Sequence, residues 1–150
     1  MQGFITGWGV RIAIVAVIAV VGLIFRDRLS GNAGELQLGD CFDDPGSIAE
    51  VSDVQHHPCA EPHSGEVIYV GDMSGSNDAY PTDDAIFSFV SANCLPAFAS
   101  YTGHAYDGVT LDVGFFHPTT EGWGKGDRGV ICYATRLDGS TTTGSLKVAQ

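Results

Sequence analysis

From Ile12 to Phe25 the chain carries fourteen residues drawn only from Ile, Ala, Val, Leu, Phe and a single Gly. A helix over this run alone would be about 21 Å long, short of a hydrocarbon core roughly 30 Å thick. Extended back to Trp8, the stretch reaches eighteen residues with one charge, Arg11. The Arg11 guanidinium can snorkel to the headgroup level beside Trp8. The sequence therefore predicts one transmembrane helix over residues 7 to 25. Its many β-branched residues are no obstacle, because in lipid the backbone must close its hydrogen bonds within the helix.

A cleaved secretory signal is the competing reading, since a basic residue precedes the apolar core. Against it, the core ends in Leu23, Ile24, Phe25 and Arg26 with no small-x-small cleavage site, and from Trp8 it exceeds the usual length of about 7–15 residues. A lipid-attachment cysteine is also missing, as Cys41 lies sixteen residues past Phe25 and follows Gly39 and Asp40. An uncleaved anchor is expected.

Residues 1 to 28 carry Arg11, Arg26 and Arg28 against Asp27, which leaves −13 for the remainder of a chain whose total is −11. A domain of about 120 residues with that charge repels nucleic acid and anionic headgroups, and it is large enough for one core and too small for two. Basic residues on the two flanks of the anchor do not decide its orientation. The four cysteines do: an even number, without the close pairing of a metal knuckle, fits a disulfide framework in an oxidising compartment. The expected topology is a single-pass membrane protein with a cytoplasmic N-terminus and an extracytoplasmic C-terminal domain.

Residues 26 to 35 are polar and Gly-rich and read as a tether. The expected organisation is an anchor at 1 to 28, a tether at 29 to 35 and a folded domain at 36 to 150. Ile48 to Val54 reads as a short edge strand. Pro58 and Pro62 keep the stretch from His56 to His63 extended or turning. Glu66 to Gly71 is the strongest strand. A helix capped by Thr82 or Asp83 follows, with Ile86, Phe89, Val90 and Cys94 at helical spacing. Pro96 predicts a break near Asn93 to Leu95, then a further turn closed by Gly103. Val109 to Phe116 and Arg128 to Arg136 read as strands with a Gly-rich loop around Trp123 between them, and Ser145 to Val148 as a last edge strand. The fold class expected is α+β, a mainly antiparallel sheet with one helical region on one face.

Four cysteines allow three pairings. Cys41 with Cys59 and Cys94 with Cys132 is favoured, because Cys94 falls on the apolar side of the helix and Cys132 shares a strand face with Val130 and Ala134.

Taken in order, Gly39-Asp40-Cys41-Phe42, the run from Cys59 to Val67, Cys94 with Ala97, Phe98 and Tyr101, Trp123 with the run from Gly126 to Cys132, and Gly144-Ser145-Leu146 resemble the septum formation family of bacterial (actinobacterial-type) membrane-anchored ectodomains. The resemblance covers residues 36 to 147. It implies division or envelope work and supplies no catalytic residues.

The residues offer little chemistry of their own. His56, His57, Cys59, Glu61 and His63 are of metal-ligand type, but oxidised cysteines leave no thiolate. Glu61 and His63 are expected to satisfy buried backbone groups beside a disulfide. Asp40, Asp43 and Asp44 lack the alternating spacing of a calcium loop. The stretch around Ser74 lacks a nucleophile elbow, and no Cys-x-x-Cys is present. Asp127 and Arg128 are expected to brace a loop through bidentate hydrogen bonds. Gly9, Ala13, Ala16 and Val20 share one face of the anchor and would let another membrane helix approach closely. The expectation is a non-catalytic interaction domain without a cofactor, an accessory subunit of an integral membrane complex held in the bilayer by its N-terminal helix. The alternative is an envelope ligand-binding or metal-dependent enzyme domain using the stretch from His56 to His63.

Overall fold

The strand read from Glu66 to Gly71 is central to the domain. In the computed structural model, which describes residues 30–46 and 53–149, it becomes β4 (Gly65–Asp72). Its companions are β1 (Ser30–Asn32), β2 (Cys41–Asp43), β3 (Asp53–His57), β5 (Leu111–Phe116) and β6 (Gly129–Arg136), in the order β1-β3-β2-β4-β6-β5. Every pair is antiparallel. The helices are α1 (Asp83–Thr102) and the short α2 (Thr120–Gly124). The anchor at 7 to 25, its strip of Gly9, Ala13, Ala16 and Val20, and most of the strand read at Ile48 to Val54 lie outside the described residues. Among the described residues no helix is long and apolar enough to cross a membrane.

β6 alternates as expected for a strand with two faces. Val130, Cys132 and Ala134 join Ile68 and the α1 residues Ile86, Val90, Cys94 and Phe98 in one core. Ile131 and Tyr133 enter a second core with Phe42, Val54, Val67, Ala33 and Leu36 on the opposite face. The sheet is thus buried on both sides, by α1 on one and by the 3-10 turn Ala33–Glu35 with Leu36 on the other. A register shift between Val67 and Tyr69 in the β4–β6 ladder adds local twist. Gly114 leaves room for the Tyr133 ring in the second core, since a Cβ there would lie 2.2 Å from Tyr133 Cζ.

Both disulfides pair as favoured from the sequence. Cys41–Cys59 and Cys94–Cys132 have Cα separations of 5.2 and 6.0 Å. Thr82 caps α1 by accepting from Ala85 N at 3.3 Å, Asp83 and Asp84 occupy the positive end of the helix dipole, and Gly103 closes it at φ 73°.

Four expectations need correction. Pro96 does not break α1, which runs through it unbroken. Pro96 and Ala92, whose carbonyl loses its donor, both lie on the exposed face, while Ile86, Val90, Cys94 and Phe98 continue one buried stripe. Packing and the Cys94 disulfide outweigh one lost hydrogen bond. Residues 30 to 35, read as tether, belong to the sheet: β1 pairs with β3, and Ala33 is buried. Three residues are too few for a strand period to show. β3 consequently lies between β1 and β2 and is not an edge. Ser145 to Val148 forms no strand; Ser145 Oγ and Leu146 N bond to the Glu66 carboxylate and Val148 N donates to Tyr101 O at the end of α1.

Candidate functional site

The histidines of the stretch from His56 to His63 do not converge. His56 and His57 are neighbours on β3, so their side chains leave on opposite faces. His56 turns inward beneath Gly31, where a Cβ would meet its ring at 2.8 Å, and His57 Nε2 pairs with Asp43 Oδ2 at 2.8 Å. His63 is 1% exposed, with Nδ1 bonded to Glu61 O at 2.8 Å, and its backbone pairs with Thr142. Cys41, Cys59 and Glu66 bring ligand-type atoms within 4.8 Å of one another. Both sulfurs belong to one disulfide, so this donor set does not fit a metal. The acids read against calcium also separate: Asp40 accepts from Gln37 N, Asp43 meets His57, and Asp44 accepts from Tyr133 Oη at 3.1 Å.

Arg128 does brace a loop, but through backbone carbonyls and Asn77 and not through the Asp127 carboxylate. Its guanidinium donates to Trp123 O at 2.8 Å, Asp127 O at 2.6 Å, Gly75 O and Asn77 Oδ1, and sits 3.8 Å from the centroid of the Trp123 ring. Trp123 Nε1 in turn donates to Ser76 O at 2.7 Å. A planar cation with five donors can satisfy several carbonyls while stacking on an indole, which a lysine cannot do. Gly75 is required by the same packing, as a Cβ would lie 2.5 Å from the indole. The Asp127 carboxylate accepts from Gly129 N at 3.0 Å and sets the start of β6.

Sequence reasoning missed the role of Glu66. It is fully buried on the α1 side of β4, where its carboxylate accepts from Tyr101 Oη at 2.6 Å, Ser145 Oγ at 2.5 Å and Leu146 N at 2.7 Å. One side chain thereby ties the sheet, the end of α1 and the C-terminal segment together. Its only sequence signal is an acid opening an otherwise apolar strand.

Burial, then the hydrogen bond and negative charge of Glu66, pushes the Tyr101 phenol up; burial, then the negative charge of Asp44, does the same to Tyr133. A phenol raised above its unfolded value of about 10 contributes its full stability below that pH and loses it as pH rises. Denaturant melts should therefore show constant stability up to about pH 10 and a decline beyond it. The decline should be shallower for Tyr133→Phe, as checked by urea midpoints measured across the alkaline range. An unchanged slope in that variant would remove Tyr133 from the explanation.

Among the described residues a concavity lies elsewhere. A cleft of about 410 Å³ opens between the turn at Asn32, Ala33 and Gly34 and the connection from β5 to α2. Its apolar lining includes Phe116 and Ile131, and its polar lining includes His117, Thr119, Glu121 and Asp127. Its walls are fixed from behind. Tyr80 Oη donates to Pro118 O at 2.7 Å, Thr119 caps α2 by accepting from Gly122 N at 3.0 Å, and Asn32 caps the 3-10 turn by accepting from Gly34 N at 2.8 Å. None of its lining residues except Asp127 was singled out from the sequence, because they come from opposite ends of the domain.

The fold defines a disulfide-stapled α+β domain whose chemistry-bearing side chains mostly hold loops together. A family model described as septum formation matches residues 38–149. The chain therefore belongs to the septum formation family, and that description points to a division-related role. No curated protein and no solved structure matches it.

Proposed function

We propose that this chain is a non-catalytic, membrane-anchored extracytoplasmic interaction domain, an accessory subunit of an integral membrane complex in the dividing envelope. The observation that carries this reading is the divergence of the histidines between His56 and His63, which leave β3 on opposite faces or lie apart on the following loop and so offer the enzyme or metal-site alternative no converging set of groups. The two disulfides suit an oxidising compartment. The apolar run from Ile12 to Phe25 supplies the anchor.

Protease added to intact spheroplasts should remove the epitope of a C-terminal tag while leaving a membrane-embedded N-terminal fragment. Full protection of the chain would place the domain in the cytoplasm and end the reading. Ala13→Leu with Ala16→Leu fills the strip of small residues. The double variant should stay in the membrane but lose its partner during mild-detergent purification. Unchanged co-purification at high salt would show that the strip does not carry the association.

A further inference from the structure

The apolar run ends at Phe25 and β1 begins at Ser30, so four residues separate them. Extended, four residues reach about 14 Å at most. Asn32 and Gly34, which form one wall of the cleft, follow directly on β1. On the membrane-anchored reading proposed above, the cleft is thus held next to the outer surface of the bilayer. Among its described lining residues are two carboxylates, Glu121 and Asp127, and no Lys or Arg. Glu121 is met from outside by the exposed Lys125, an i,i+4 surface pair of little energetic consequence. The volume falls within the range of ligand sites, and a wall that includes Phe116 can take the stem of a long side chain or the face of a guanidinium.

We propose that this cleft receives an arginine or lysine side chain from the extracytoplasmic, membrane-flanking segment of a partner membrane protein. The occupant follows from charge and position together. Anionic headgroups are repelled by the two carboxylates and by the net −13 of the chain beyond residue 28. A basic residue beside a neighbouring transmembrane helix sits at the right height and offers the complementary charge. A guanidinium bridging Asp127 and Glu121 would make charge-assisted hydrogen bonds to both carboxylates while its stem rests against Phe116.

The test uses the full-length, isotope-labelled chain in phosphatidylcholine nanodiscs, followed by amide chemical shifts. The probe is a blocked pentapeptide with one central arginine flanked by leucine and glycine, and the control replaces arginine by the neutral isostere citrulline. The arginine peptide should shift the amides of Gly34, Thr119 and Gly129. Citrulline should weaken binding at least tenfold, as should the near-isosteric pair Glu121→Gln and Asp127→Asn. Equal binding of both peptides, equal binding by the double variant, or no shift at these amides overturns the proposal. Shifts at the same amides in peptide-free phosphatidylethanolamine nanodiscs would assign the cleft to a lipid ammonium, which also overturns it. In native membranes, a photo-crosslinker at Thr120 should trap a membrane protein through a peptide carrying Lys or Arg beside its transmembrane segment. That adduct should vanish in the double variant, and its persistence there counts against the cleft. The protease experiment separates the two readings: cytoplasmic placement with intact arginine selectivity removes the membrane setting and leaves a cation site.

Discussion

Glu66→Ala is expected to lower the stability of the domain by about 3–5 kcal/mol, the scale for breaking a buried charged network. For a domain of this size that corresponds to a fall in Tm of roughly 10–25 °C. The reason is the number of donors left behind. Tyr101 Oη, Ser145 Oγ and Leu146 N all point at one carboxylate, and each is left without its acceptor when the side chain is removed. Glu66→Gln should be much milder. Its amide oxygen can face the Leu146 N–H, which cannot reorient, while its NH₂ faces the two hydroxyls, which can rotate to accept. Thermal unfolding by circular dichroism of both variants checks the argument. An alanine variant as stable as the glutamine variant would mean that the network contributes only by filling space. Proteolysis should begin at the C-terminal segment in Glu66→Ala, because Leu146 loses its bond to the sheet.

Reducing both disulfides is the second large perturbation. In the chain-entropy model, closing the separations of 18 and 38 residues contributes about 3 and 4 kcal/mol. Together that is about 7 kcal/mol, against a total stability of about 5–15 kcal/mol for ordinary domains. Cys94→Ala with Cys132→Ala should therefore lower the urea midpoint more than Cys41→Ala with Cys59→Ala. The variant lacking all four cysteines should be largely unfolded at 37 °C. A reversed order of the two pairs would show that the short loop near β2 carries strain relief or denatured-state structure that the entropy model leaves out. Both bonds join segments of the core, Cys94 in the α1 stripe and Cys41 beside Phe42, so the alanine variants also lose some packing.

Much of the fold was legible because its signals are local. The alternation of Val130, Cys132 and Ala134 against Ile131 and Tyr133 names two faces by itself, and the Thr82 cap and the Gly103 stop depend only on adjacent backbone. The disulfide pairing was readable for the same reason, since the helical stripe and the strand face each placed one cysteine toward a common core. The unbroken passage of α1 through Pro96 was not, because it depends on what packs against the other side of the helix.

The sequence by itself determined that this chain builds an antiparallel sheet with a helix on it, stapled twice, and strongly acidic outside its apolar run. Only the tertiary structure decided that Ser30 to Glu35 joins the sheet, that Glu66 gathers three donors, two of them from residues 79 and 80 positions away, and that Asn32 meets Phe116 to Thr119 across a cleft. Each of these joins groups distant along the chain. Periodicity and capping report the environment of a residue averaged over its neighbours in sequence, whereas a buried hydrogen-bond network or a cleft wall is fixed by which segments the curvature of the sheet brings together. The strand order β1-β3-β2-β4-β6-β5 makes neighbours of segments far apart in the chain, and no single stretch of the sequence records it.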